Sequence, residues 1–200
     1  MSIPFPKKTH RKLDDQKTKS ELISEMESLR TKVRELQTEL MLDDLTGLFN
    51  ARYLKQRLDE ALTKIDEVQP ALLFIDVDFF KQVNEKHGHQ TGGFLLNSVG
   101  RMIGQLIRVD DIAFRYGGDE FVVLVTGGID GAMSVGERIR KTIEETKFKV
   151  QGLKGEGEVH LTISVGIRVV RQGDTPKMII DEADRAMYEA KRGRNTLVAA

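Results

Sequence analysis

The chain has 200 residues, 40% of them hydrophobic, with 31 basic and 31 acidic side chains and a formal net charge of zero. That length is about one domain with some left over, and the balanced charge supplies no global attraction to nucleic acid or anionic membrane. The absence of cysteine removes disulfides and thiolate chemistry, and no apolar run approaches the roughly 20 residues of a spanning helix.

Residues 1–19 read as a disordered basic arm, with Lys7, Lys8, Arg11, Lys12, Lys17 and Lys19 against only Asp14 and Asp15. A solvated tail explains it more simply than contact with nucleic acid or acidic lipid. The start, Met1 to Lys8, lacks the apolar centre of a signal peptide, so a soluble, cytoplasmic chain is expected.

Residues 20–42 predict a coiled-coil dimerisation helix. Leu22, Met26, Leu29, Val33, Leu36 and Leu40 recur in steps of four and three, with Met26, Val33 and Leu40 at a and Leu22, Leu29 and Leu36 at d. Leu at d with Val33 at a favours a parallel homodimer, in which Glu25 at g could pair with Arg30 at the following e. Thr18 and Glu21 have the spacing of a capping box. The alternative is an amphipathic helix packed on its own domain.

Gly47 and Asn50 then break the seam, and a second helix is expected near Ala51, with Tyr53, Leu54, Leu58, Ala61 and Leu62 inward. After Pro70 the run Ala71-Leu72-Leu73-Phe74-Ile75 suits a buried strand. It ends in Asp76-Val77-Asp78, just before Phe79, Phe80 and Lys81. A carboxylate where a strand hands over to a helix either caps the helix or holds a metal, while the helix N–H groups take phosphate. Asp76 is the candidate ligand and Asp78 the candidate cap or supporting group. Asn84 to Gly93 reads as a polar loop between helices, and His87 and His89, two apart, as solvated histidines. The next helix carries Leu95, Leu96, Val99, Met102, Ile103, Leu106 and Ile107 inward and ends in Arg108-Val109-Asp110-Asp111. Arg108 and Asp111 alone could simply pair across that helix end.

Two short strands, Ile112 to Phe114 and Phe121 to Val125, flank Gly117-Gly118-Asp119-Glu120. The glycine pair suits a tight hairpin whose turn has no side chain to block a bulky anion. Asp119 and Glu120 stand beside that opening, where they could hold a metal-bound phosphate. The plainer reading is a surface hairpin with solvated acids. A helix over 130–146, a strand over 160–167 and a last helix burying Ile179, Ile180, Ala183, Ala186, Met187 and Ala190 complete the chain.

These motifs, in order and in register over about residues 43–198, resemble the GGDEF family, the diguanylate cyclases. Phe114 to Phe121 is similar to the signature hairpin, and Asp43 to Asn50 to the family's "D-x-LTGL-x-N-R-R", with Ala51 in place of the first arginine. Phe80, Lys81, Asn84, Gly88, His89 and Gly92 match "F-K-x-x-N-D-x-x-G-H-x-x-G-D", where Glu85 and Gly93 replace the two aspartates. Thr162, Ser164 and Gly166 match "T-x-S-x-G". Asp184 to Asn195 is similar to the family ending, with one residue missing between Lys191 and Gly193.

The resemblance implies an α+β domain over 43–200, a mostly antiparallel sheet surrounded by helices, like nucleotide cyclases and polymerase palms. It implies condensation of two GTP into cyclic di-GMP and pyrophosphate by a Mg²⁺- or Mn²⁺-dependent dimer. Asp76, the Val77 carbonyl and Glu120 would hold metal, and Asp119 would assist or take the attacking hydroxyl's proton. Gly117 and Gly118 would let the α-phosphate close to backbone. Phe79, Phe80, Lys81, Lys191 and Arg194 would hold the other phosphates, and Asn84 and position 93 would read guanine. Arg108 and Asp111 have the spacing of the family's inhibitory site for cyclic di-GMP. Gly93 lacks the carboxylate that selects guanine, so ATP is a second candidate substrate and cyclic AMP-GMP a second candidate product. The competing expectation is a cyclic di-GMP receptor acting through Arg108 and Asp111. A nucleic-acid polymerase is not expected, for want of length and a basic groove.

Overall fold

The computed structural model describes residues 19–63, 65, 69–152 and 155–200. The chain divides into two units at residue 40. Residues 1–18, including most of the basic arm and the Thr18 cap, lie outside the described residues.

The first unit is helix α1, Lys19–Glu39. Its sequence contains neither Gly nor Pro and is rich in Glu, Leu, Lys and Arg, all good helix formers. Leu22, Met26, Leu29 and Leu40 of the heptad seam are exposed. The side chains of Val33 and Leu36 lie outside the described set.

The second unit runs β1 (Phe49–Asn50), α2 (Ala51–Thr63), β2 (Ala71–Val77), α3 (Phe80–His87), α4 (His89–Leu106), β3 (Ile112–Gly117), β4 (Glu120–Val125), α5 (Gly128–Glu145), β5 (Phe148–Gly152), β6 (Gly155–Val159), β7 (Ile163–Val169), α6 (Pro176–Gly193) and β8 (Leu197–Ala199). Six strands form one sheet in the order β1-β3-β4-β2-β7-β8. The inner pairs are antiparallel, and only the short edge strands β1 and β8 pair in parallel. This is the α+β, mostly antiparallel architecture expected.

Strand β2 explains why. Every residue from Ala71 to Val77 is buried, so the strand must be central and covered on both faces. Its two-residue period sends Leu73 and Ile75 into one core with Val123, Ile103 and Ile139, and Leu72 and Phe74 into the other with Val122, Leu54 and Met187. Helices α4 and α5 line the first core, α2 and α6 the second. Helix α6 comes so close to β7 that a Cβ on Gly166 would stand 2.0 Å from the Ala183 carbonyl oxygen. Only glycine permits that contact.

Two expectations are corrected, and one hairpin is new. Asn84 to Gly93 is not a loop: α3 runs to His87, α4 begins at His89, and Gly88 alone joins them. Glu85, Lys86, His89 and Gln90 face solvent from these helices, whereas Thr91 is buried and donates its hydroxyl to the Gln151 carbonyl. The β5–β6 hairpin was not anticipated, because Gly155-Glu156-Gly157-Glu158 is exposed and has the composition of a loop. Strand β7 starts at Ile163 rather than His160. No helix among the described residues is long and apolar enough to cross a membrane.

Candidate active site

The register of β2 brings the candidate carboxylates together. Asp76 lies opposite Glu120 on β4 and Ser164 on β7. Gly117 pairs with Glu120, leaving Gly118 and Asp119 as the turn. Gly118 has φ +47°, which favours glycine. The Asp119 carbonyl accepts the Val77 N–H at 3.3 Å, which sews the hairpin tip onto the end of β2. Arg115 holds the tip from behind, donating to the Gly118 carbonyl at 2.8 Å and to both Asp43 oxygens at 3.1 Å. Burial would raise the Asp43 carboxyl, but hydrogen bonds from Thr46 and Arg115 outweigh it and hold the carboxyl below its usual range. The Asp43-to-Asn50 motif is therefore tied to the hairpin by an ion pair that sequence reasoning missed. The signal was an arginine and an aspartate within two separate motifs.

Asp76 is only 4% exposed. Its Oδ2 is 2.7 Å from the Lys191 Nζ, while its buried Oδ1 has no hydrogen-bond partner. Burial, with the nearby Asp119 and Asp78 charges, pushes its carboxyl up to about 6 against the pull of Lys191. Glu120 is also raised, first by burial and then by the charges of Asp76, Asp184 and Asp119. Carboxylates forced together and left short of partners are what a cation would relieve. Among the described residues no three His, Cys, Asp or Glu side chains close into a ready-made cage. That suits a hard ion such as Mg²⁺, which takes one or two carboxylates and completes its shell with phosphate oxygens and water. Asp76, Glu120, the Val77 carbonyl and the neighbouring Asp119 supply only oxygen donors, so the residues present fit such an ion.

Asp78 does not cap α3. It is buried, and its Oδ1 accepts the Ser164 hydroxyl at 2.7 Å, while its Oδ2 accepts the Thr162 hydroxyl at 2.7 Å and the Asn195 N–H at 3.0 Å. Residue Phe79, in the left-handed region at φ +58°, precedes α3 without a side-chain cap. Phe80 turns into the core, so its contribution is backbone only. The Phe79 ring is exposed, with the Arg194 guanidinium 4.1 Å from its centroid. Lys81 is almost fully solvated, near Glu85.

Beside the carboxylates is an open cleft of about 580 Å³ whose lining includes Lys81, Asn84, His89, Gly93, Gly118 and Asp119. The Asn84 Oδ1 is buried without a partner and packs over Gly92, where a Cβ would sit 1.8 Å from it. Gly93 differs: a Cβ there would meet nothing nearer than Leu45 Cδ1 at 3.7 Å. The space for a longer side chain is present and empty.

Arg108 and Asp111 are at the other end of β3 and β4 from the hairpin tip. Asp111 is buried, accepting the Arg108 N–H at 3.0 Å and the Thr126 N–H at 3.2 Å, whereas Arg108 is exposed. The pair is thus a backbone clamp that presents one arginine, not a side-chain ion pair.

The chain is similar to known proteins in sequence and in fold. The family described as "Diguanylate cyclase, GGDEF domain" matches residues 40–196. The response regulator PleD of Caulobacter vibrioides is 36% identical over 163 residues, 78% of this chain and 35% of that protein. Diguanylate cyclase DgcS of Shewanella oneidensis is 36% identical over 166 residues, 81% of this chain and 53% of that one. The chain therefore spans from about a third to about half the length of these curated relatives. The solved structure of the coiled coil and GGDEF domain of DgcB from Caulobacter crescentus in complex with c-di-GMP superposes with a TM-score of 0.81 at 29% identity, covering 90% of this chain and 96% of that one. With the signature hairpin, the carboxylate pair and the matched span in agreement, the chain belongs to the GGDEF family.

Proposed function

We propose that this chain is a diguanylate cyclase, joining two GTP molecules into cyclic di-GMP with release of two pyrophosphates. The observation that carries this reading is the Asp76–Glu120 pair, with one Asp76 oxygen buried and unpartnered, next to the hairpin tip whose Gly118 and Asp119 line a cleft of about 580 Å³. Each 3′-hydroxyl attacks the other molecule's α-phosphorus; the new P–O bond forms as the bond to pyrophosphate breaks. Asp119 takes the hydroxyl proton or helps hold the metal. Gly117 and Gly118 leave room for the α-phosphate against backbone. Lys81, Lys191 and Arg194, with the backbone around Phe79 and Phe80, hold the β- and γ-phosphates. A bound Mg²⁺ or Mn²⁺ supplies charge neutralisation at the phosphate oxygens. Each domain holds one nucleotide, so two must face each other, and residues 20–42 as a parallel coiled coil would raise their local concentration. Cyclic di-GMP would return as inhibitor at Arg108, with Asp111 setting the turn.

Asn84 can donate and accept, so it suits either purine, whereas the missing carboxylate at Gly93 weakens selection for guanine. Product analysis by mass spectrometry with Mn²⁺ and GTP, ATP or both tests the reading. Cyclic di-GMP from GTP is expected, with mixed cyclic AMP-GMP when ATP is added. Gly93→Asp, for which there is space, should raise the GTP-over-ATP preference by about 10- to 100-fold, equivalent to roughly 1–3 kcal/mol. Strong and equal GTP preference in both proteins sinks the relaxed selectivity. Absence of any product, with cyclic di-GMP still bound, sinks the enzyme and leaves the receptor.

A further inference from the structure

We infer that Asp78 is a positioning residue that fixes the turn carrying Arg194, and through it the cationic side of the phosphate site; this rests on the proposed role of Arg194 and Lys191 in holding phosphates. Among the described residues only three that are not glycine have positive φ: Phe79 at +58°, Arg194 at +57° and Asn195 at +46°. Bulky residues avoid that region, and where they adopt it the surroundings must hold them there. Two of them touch Asp78 and the third, Arg194, is linked to it through both. Phe79 is its chain neighbour, and the Phe79 ring lies under the Arg194 guanidinium at 4.1 Å. Asn195 donates its N–H to Asp78 Oδ2 at 3.0 Å.

Asp78 is itself held. It is 4% exposed, and the hydroxyls of Thr162 and Ser164 donate to its two oxygens at 2.7 Å each. Its own N–H donates to the Thr162 carbonyl at 2.9 Å. The carboxylate therefore joins three segments: the end of β2, the lead into β7 and the exit from α6. The same exit places Lys191 one turn before Arg194, with its Nζ 2.7 Å from Asp76. Both Asp78 oxygens accept hydrogen bonds from protein, whereas Asp76 Oδ1 has no partner, which separates Asp78 from its neighbour Asp76. Its work is to hold a strained backbone in register.

The test uses the full chain with Mn²⁺ and α,β-methylene-GTP, which cannot transfer its α-phosphate. Arg194→Ala should weaken binding about tenfold, the loss of one charge-assisted contact. Asp78→Ala should weaken it by a similar factor, and the double variant no further, because Arg194 is already misplaced. Asp78→Asn should stay within about threefold of wild type, since its amide oxygen can take the Oδ2 position while Ser164 accepts from the amide N–H. The Asn195 amide, followed by ¹⁵N NMR without nucleotide, should be protected from exchange in wild type and Asp78→Asn and exposed in Asp78→Ala. Additive losses, wild-type binding by Asp78→Ala, or an Asp78→Asn as weak as Asp78→Ala would each overturn the inference. An ineffective Arg194→Ala overturns the phosphate assignment itself, while the amide exchange still reports the staple. If Asp78→Ala does not fold, Ser164→Ala, which frees one carboxylate oxygen, carries the test: unchanged binding together with unchanged Asn195 protection overturns the inference.

Discussion

Two clusters of charge stand at opposite ends of the β2–β7 pairing, and they differ in one respect. At one end Arg168, opposite Leu72, is 3% exposed and pairs with Asp174 at 3.1 Å and with Glu182. The Arg168 hydrogen bond holds the Glu182 carboxyl below its usual range. At the other end Asp76, opposite Ser164, has one oxygen on Lys191 and one on nothing, and its carboxyl is raised. Each cluster centres on a buried charge, Arg168 on β7 and Asp76 on the neighbouring β2. The first is complete without a ligand and reads as structure; the second is stable only in part and reads as a site that waits for one.

The largest effect expected from breaking this contrast is at the complete cluster. Arg168→Ala leaves Asp174 buried beside a missing partner, a change that costs about 3–5 kcal/mol. For a domain of this size that lowers the Tm by about 10 °C. Turnover per folded molecule should be unchanged. Thermal unfolding with an active-site titration checks both halves, and a loss of turnover at unchanged Tm would show that the two ends are not separate.

The unsatisfied end should respond in the opposite sense. Asp76→Asn keeps the shape and removes the charge, so turnover should fall by about 10²–10³, the usual cost of losing one electrostatic group at a reacting centre. Stability of the metal-free protein should rise. The sign follows from the shift: the Asp76 carboxyl titrates near 3.8 when unfolded and near about 6 when folded. Its contribution is present below the unfolded value and is lost as pH rises through the folded one, because over that window only the native state keeps the proton. The loss amounts to at most about 3 kcal/mol by neutral pH, at 1.36 kcal/mol per unit. Denaturant unfolding with chelator between pH 4 and 7 should show this falling limb in wild type and a flatter one in Asp76→Asn. Equal slopes would mean that the carboxylate is relieved by something other than a metal.

The difference between the ends also marks what could be read without coordinates. The apolar run Ala71–Ile75 announced a central strand, and Asp76 at its end marked the candidate site, because burial on both faces and a terminal carboxylate are local signals. The hairpin was legible from its glycines. Arg168 was invisible as a core residue, since a charged side chain in a strand looks solvent-facing until Asp174 and Glu182, distant in sequence, fold onto it. Asp78 was left between cap and supporting group for a related reason. Beside a helix start an aspartate looks like a cap, and only the approach of Thr162, Ser164 and Asn195 reveals its three partners. The Gly88 junction was missed because two helices joined by one residue have the polarity of a loop. Local chemistry is written in the chain in order, whereas satisfaction of a polar group by distant partners is not.

Lys191 offers the finest test of the contrast, because it pairs with Asp76 and is also proposed to hold phosphate. Its ammonium stands 2.7 Å from Asp76 Oδ2, where it partly neutralises the carboxylate that a metal would need. Because Lys191 is only half-buried, solvent screening and the cost of desolvating the pair leave a net attraction of about 1 kcal/mol. Lys191→Met should therefore tighten Mn²⁺ binding to the nucleotide-free protein severalfold, and it should weaken binding of a GTP analogue, whose phosphates lose a counter-charge. Isothermal titration with each ligand alone separates the two. Opposite changes make Lys191 a placeholder that exchanges Asp76 for phosphate when the site fills. A fall in both affinities would make it a strut that orients the carboxylate, and Asp76 would then belong with Arg168 among the groups whose partners are already in place.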